Sequence, residues 1–384
     1  MDDGSVVFVS CPVDGVDRKS WRREVQAPSQ VFALVIQLIL AAFLLSGCAP
    51  PKPAVPATAA QISAATSPAT HQPTLTSTSI PPSPTPTSHR SFLQLTYTQE
   101  RTCETCLYGI ASSLYAIEVG CLNEAAPCLG ESQLLFEWEK WITGVDWSPD
   151  GQSLVFESEG KLYISDWNGA NVVQIPSKSG RGDSPHWSPE GSQIAFMFNP
   201  ARPGSAALDP PIIQIYDIAA GRITTFLEGF YDPQSIDWLT NGEMAVSTKV
   251  SESDWTEVIK IVDADGTAIR QLPAKAAENV RILGFTFSPD LLQFAFAGEI
   301  QPPTGTSILD IYVSDLNGYV VINLTNGLGY NLDPAWSPLG EWIAFTCNPT
   351  GNWNIYLIRP DGSQVQRVTQ SPADEGYLAW RLVP

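Results

Sequence analysis

One phrase recurs along this chain: an aromatic residue, a Ser-Pro-Asp-Gly-like turn, then a short apolar strand. It reads Trp147-Ser148-Pro149-Asp150-Gly151, Trp187-Ser188-Pro189-Glu190-Gly191, Trp238-Leu239-Thr240-Asn241-Gly242, Phe287-Ser288-Pro289-Asp290 and Trp336-Ser337-Pro338-Leu339-Gly340. Successive aromatics are 40, 51, 49 and 49 residues apart, and Trp380 follows 44 residues after Trp336. A period of about 40–50 residues with strand patterning marks a propeller, each repeat being one blade that cannot bury its faces alone.

Each repeat carries four strand signals. In the second unit these are Thr143–Trp147, Ser153–Glu157, Lys161–Asp166 and Asn171–Ile175. Proline pre-sets the first turn position and glycine takes the positive-φ one. Trp167-Asn168-Gly169, Asp265-Gly266, Asn317-Gly318 and Asp361-Gly362 are hairpin signals between the last two strands. The strand after each Ser-Pro turn is apolar throughout, as in Leu154-Val155-Phe156 and Ile343-Ala344-Phe345, which suits a sheet covered on both faces. Blades two to six run over 141–178, 183–229, 232–275, 279–327 and 331–371. The first unit offers three strands, near Leu93–Thr98, Leu114–Val119 and Leu134–Trp138, with no Trp-turn opening. Tyr377-Leu378-Ala379-Trp380 supplies the missing inner strand. The expectation is an all-β six-bladed β-propeller of four-stranded antiparallel blades, closed by the C-terminal strand, which leaves no free edge.

The five phrases resemble the Ser-Pro-Asp-Gly (PD40, WD40-like) repeats of the TolB propeller family, over residues 91–384. The resemblance implies a propeller used as a binding platform in the cell envelope. It does not by itself imply a particular job, because function belongs to sites and not to folds.

Upstream, Val31–Leu45 is an uncharged run of 15 residues preceded by Arg18, Lys19, Arg22 and Arg23. That is short for a membrane span but suits the apolar region of an export signal. Leu45-Ser46-Gly47-Cys48 follows at once and resembles a bacterial lipobox, which implies lipidation of Cys48 and a mature chain that starts there. The long lead before it, with Cys11, points to initiation near Val16. Residues 48–90 are Pro, Ala, Thr and Ser with few large apolar side chains. Such a composition does not fold and stays extended, so it reads as a disordered stalk. The organisation is therefore 1–47 signal peptide, 48–90 stalk and 91–384 propeller, exported and lipid-anchored to the cell membrane or outer envelope. The formal charge of −19 argues against nucleic acid as a partner.

The turns after the first and third strands of each blade are short. The connections after the second strand are long and dissimilar, and they share one face with the links between blades. Binding residues favour such loops on a rigid scaffold. Tyr231, Tyr330, Trp255 and Trp353 lie in or near them and are candidate binding residues, with burial between blades as the competing reading. Asp183, Asp232, Asp333 and Asp374 stand at the entrances of inner strands. They can ring the mouth of the channel, or each can cap its own turn.

Cys103 and Cys106, and Cys121 and Cys128, form two close pairs in the first unit. In an oxidising compartment two local disulfides, 103–106 and 121–128, are expected, with a zinc site as the competing reading. Cys347 sits in an apolar strand and reads as a buried thiol. His186 is the one histidine of the propeller, so neither a multi-histidine metal centre nor a cofactor is expected. No Gly-x-Ser-x-Gly elbow occurs. The leading expectation is a non-catalytic, monomeric binding protein for a protein or peptide partner, with a glycan as a further ligand class. The alternative is a carbohydrate lyase or hydrolase, which requires Asp183, Asp232, Asp333 and His186 to converge on one pocket at the channel mouth.

Overall fold

The computed structural model describes residues 92–103, 110–120, 127–177, 179–201, 209–227, 230–251, 257–272, 280–300, 307–318, 321–326, 329–349 and 351–383. Residues 1–47 and 48–90, read from the sequence as an export signal and a stalk, lie outside them, Cys48 included. The described residues are strands and turns, arranged as six antiparallel sheets. Blade 2 is built in sequence order from Ile142–Trp147, Ser153–Ser158, Lys161–Asp166 and Val173–Gln174. Blades 3 to 6 repeat that order, with inner strands Gly180–Trp187, Tyr231–Trp238, Val280–Phe287 and Tyr330–Trp336.

Blade 1 confirms the expected closure. Its inner strand is Glu375–Val383, longer than the four residues read from sequence, paired with Phe92–Thr102 through Leu93↔Leu382 and Leu95↔Trp380. Ile110–Gly120 follows, and Gln133–Trp138 and the two-residue strand Cys128–Leu129 both pair with it. This blade therefore has five strands and not four. Each inner strand touches the inner strand of the next blade, and Tyr330–Trp336 touches Glu375–Val383, so the ring is complete.

The repeated turn holds itself together. The Ser148 hydroxyl donates to Asp150 Oδ1 at 2.6 Å and accepts from the Ser153 amide at 2.9 Å, while Gln152 N donates to Asp150 Oδ1. Ser288 and Asp290 repeat this pattern. These hydrogen bonds favour ionised acids, and the Asp150 and Asp290 carboxyls are held below their usual range, first of all by the serine hydroxyls.

The core lies between blades and not within a central layer. Leu93, Leu95 and Ile117 of blade 1 pack on Trp342, Ala344, Ile355 and Leu357 of blade 6. On the other side, Leu114 and Ala379 of blade 1 meet Ile142, Trp147 and Phe156 of blade 2. The repeat tryptophans stitch these seams: Trp147 Nε1 donates to Thr96 Oγ1 at 3.0 Å, and Trp380 Nε1 donates to the Ala335 carbonyl at 2.9 Å. Burying a side chain such as Phe156 contributes roughly 2–3 kcal/mol.

Candidate functional site

Strand register sets the two faces of the disc. Tyr231 pairs with Lys249 and Tyr330 with Asn348, so inner strands begin where second strands end. The irregular connections therefore emerge on the face where the next inner strand enters. Near that entrance every inner strand has a register shift against its neighbour. In three blades the residue three places before the aromatic takes left-handed φ: Ser184 at 48°, Asp333 at 52° and Tyr377 at 52°. A bulge of this kind re-aims side chains at a rim, at a cost of roughly 1–2 kcal/mol for each left-handed non-glycine residue.

A cavity of about 260 Å³ opens where the ring closes. Its carboxyl groups come from Glu100, Asp333, Asp374 and Glu375, and its rings from Trp141, Trp353 and Tyr377. Asp374 fixes the geometry: its Oδ1 accepts from Trp353 N at 2.9 Å and its carbonyl accepts from Glu100 N at 2.9 Å. Glu375 accepts from the Thr369 hydroxyl and, at 3.1 Å, from Gln99 Nε2. Burial raises the Glu375 carboxyl above its ordinary value despite these bonds. Burial, followed by the charge of Asp374, raises Glu100. Burial also raises Asp333, although part of the residue remains exposed at the rim. The Tyr377 hydroxyl is pushed up by burial, then by Asp333, Glu157 and Glu100.

A second set of acids lies one residue before the repeat aromatics. Asp146 Oδ2 accepts from Trp187 N of the next blade at 2.7 Å, and its Oδ1 accepts from Trp147 N at 2.9 Å. Asp237 Oδ2 accepts from Phe287 N of its own next blade at 3.4 Å. Burial pushes Asp146 up to about 7. Burial and then the charge of Asp146 push Asp237 up to about 8. The two blades are not neighbours, so both acids sit close to the axis where inner strands converge. His186 occupies the same position in the blade between them, and burial pushes it down to about 4.

The expected ring of acids is thus divided. Asp333 and Asp374 come together in the cavity, with Trp353 on its wall. Asp183 is on the inner strand of blade 3, outside that lining; burial pushes it up to about 6, and its Oδ1 has no hydrogen-bond partner. Asp232 is in the inner strand of blade 4, with its side chain outside the described residues. Tyr231 and Tyr330 are exposed on the rim, at 44% and 39%. Trp255, Cys106 and Cys121 lie outside the described residues. Cys103 and Cys128 are both disulfide-bonded. Cys103 follows Thr102, which pairs with Ile110, whereas Cys128 pairs with Gly120 at the far end of the same strand. Ten residues of strand span about 33 Å, far beyond disulfide reach, so the two belong to different bridges. Cys347 is buried. Among the described residues no group of three or more His, Cys, Asp or Glu is placed to hold a metal ion.

The sequence reading missed Glu100, Trp141, Glu375 and Tyr377 in the cavity, and Asp146 and Asp237 near the axis. The last two had a signal: an acid directly before the repeat tryptophan in Val145-Asp146-Trp147 and Ile236-Asp237-Trp238.

No family model matches the chain. A TolB homologue of Chlorobium luteolum is 30% identical over 220 residues, covering 56% of this chain and 46% of that protein. The chain spans about half the length of the curated relatives it matches. Among solved structures, TolB of Acinetobacter baumannii superposes with a TM-score of 0.57 at 17% identity, over 75% of this chain and 66% of that one. A chain of a nidogen–laminin complex gives 0.55 at 13% identity, over 76% of this chain and 98% of that one. The described residues are a TolB-like six-bladed β-propeller.

Proposed function

We propose that this chain is a non-catalytic binding protein of the cell envelope whose loop-rich face engages a protein or peptide partner. The observation that carries the reading is the mouth of the ring. A rigid closed scaffold presents a cavity lined by aromatic and acidic residues there, and Tyr231 and Tyr330 are exposed at inner-strand entrances on the same face. The cavity takes in Asp333 but neither Asp183 nor His186, which favours binding over a hydrolytic set made of those residues. A relative from Desulfosudis oleivorans, matched over 14% of this chain, bears the name Tol-Pal system protein TolB, and this supports a protein partner in the envelope. In this reading lipid on Cys48 anchors the monomeric chain, residues 48–90 hold the propeller away from the membrane, and disulfides 103–106 and 121–128 brace blade 1.

The test is crosslinking capture from intact cells with the full chain and with its Tyr231→Ala/Tyr330→Ala variant. Recovery of one partner that the variant loses supports the reading. Capture unchanged by the variant, or turnover of an envelope polysaccharide by the pure protein, overturns it.

A further inference from the structure

The cavity is unusual in its charge. Four carboxyl groups line it, and no Lys, Arg or His does. Its volume of about 260 Å³ lies below the roughly 300–1,000 Å³ of sites for drug-sized molecules, so it matches one inserted side chain. Resting on the binding reading above, we propose that this cavity receives a basic side chain, a lysine ammonium or an arginine guanidinium, presented by the protein partner.

Three independent features converge on that ligand. The first is the wall, lined by the aromatic residues Trp141, Trp353 and Tyr377; a cation over an aromatic ring gains about 0.5–2 kcal/mol. The second is donor supply. The Thr98 hydroxyl donates to the Gly376 carbonyl and Thr346 to the Leu332 carbonyl, so both hydroxyl hydrogens are engaged within the protein and the carboxyl oxygens are the main groups offered to a ligand. An ammonium or guanidinium needs acceptors alone, which four carboxyl groups supply. The Trp141 indole N–H faces Glu100 without making a hydrogen bond of good geometry, which leaves that carboxyl open to a stronger donor.

The third feature is a buried negative charge beside the cavity, met only in part by the charge of Arg181. Glu157 is fully buried, its Oε2 has no hydrogen-bond partner, and its charge acts on the Tyr377 hydroxyl of the cavity wall. The raised carboxyls of Glu100, Asp333 and Glu375 share burial as their largest cause, and the charge of Arg367 offsets it in part only at Glu375. A cation that entered would release that penalty, and the overall charge of −19 would speed its approach. A metal ion is a poorer match, because among the described residues no three acids are grouped to hold one and an aromatic lining suits an organic cation.

The experiment is calorimetric titration of the full chain with acetyl-Gly-Lys-Gly-amide, its arginine and norleucine counterparts, and spermidine. The expected result is saturable binding of the lysine and arginine peptides and none of the neutral norleucine one. Binding should weaken at least tenfold in Glu100→Gln/Asp374→Asn and stay unchanged in the distant Glu190→Gln. Should the double variant unfold, Asp333→Asn, on the rim, makes the same test. Norleucine binding equal to lysine, or binding unchanged in the cavity variants, overturns the proposal. Spermidine bound tenfold more tightly than the peptides at this site overturns the protein-borne source and points to a free polyamine. Partner capture reads a different face of the question, so failure here leaves the binding reading standing on its own result.

Discussion

The guanidinium of Arg381, on the strand that closes the ring, lies 4.6 Å from the ring centre of Trp147 on the next blade. Trp167 covers it from further out at 5.5 Å, and its Nη1 donates to Gln94 Oε1 at 3.1 Å. One side chain therefore ties the C-terminal strand both to its own blade and to blade 2. A cation stacked on aromatic rings contributes about 0.5–2 kcal/mol, and the hydrogen bond about 1 kcal/mol more. Arg381→Met should lower the free energy of unfolding by about 1–3 kcal/mol, read as a lower urea midpoint with an unchanged denaturant slope.

Removing the closing strand should do much more. Without residues 374–384 the strand Phe92–Thr102 loses its partner along Leu93↔Leu382 to Gln99↔Glu375. An open inner edge invites pairing between copies. Truncation after Ala373 should abolish the sharp thermal transition and produce aggregates in size-exclusion chromatography with light scattering. A truncated chain that stays monomeric and melts cooperatively would argue against closure as the source of stability.

The acids near the axis make stability depend on pH in a defined direction. Asp146 and Asp237 hold protons up to about 7 and about 8 in the fold, against an ordinary value of 3.8. The native state then binds more protons than the unfolded chain between these limits, so their contribution falls as pH rises through that window. His186 works the other way, from an ordinary 6.5 to about 4; its contribution is full above 6.5 and is lost as pH falls toward 4. Urea titrations from pH 4 to 8 should show a shallower decline above pH 5 for Asp146→Asn/Asp237→Asn than for the parent. His186→Gln should lose the decline on the acid side.

Two glycines in equivalent backbone states should respond differently to alanine. Gly169 has φ of 75°, and a Cβ there would fall 2.4 Å from Phe136 Cγ on blade 1. Gly242 has φ of 84° with nothing within 4 Å. Both substitutions carry the left-handed cost of roughly 1–2 kcal/mol, and Gly169→Ala adds the displacement of a partly buried ring. Thermal unfolding should rank Gly169→Ala as clearly the more damaging.

The fold was legible because its signal repeats. Trp147, Trp187, Trp238, Phe287, Trp336 and Trp380 each stand at the same place in an inner strand, and five copies of a turn fix the register between them. Even Leu291, which takes φ of 57° where other copies have glycine, did not hide the pattern. The site was legible only in part. Asp333, Asp374 and Trp353 stood out as rim residues, but Glu100 and Trp141 reach the cavity from blades 1 and 2 through ring closure, and no local pattern encodes that. Asp146 and Asp237 were not legible because each stands next to the repeat tryptophan, and only the alternation of strand faces puts the acid and the ring on opposite sides.

The central claim is that the loop-rich face, and not the face of short turns, engages the partner. A photoreactive residue placed in the full chain at Tyr330, on the rim, or at Leu339, in a Ser-Pro turn, would test it in intact cells. The account predicts a discrete crosslinked protein from position 330 and none from position 339. A crosslinked partner from position 339 alone would contradict it.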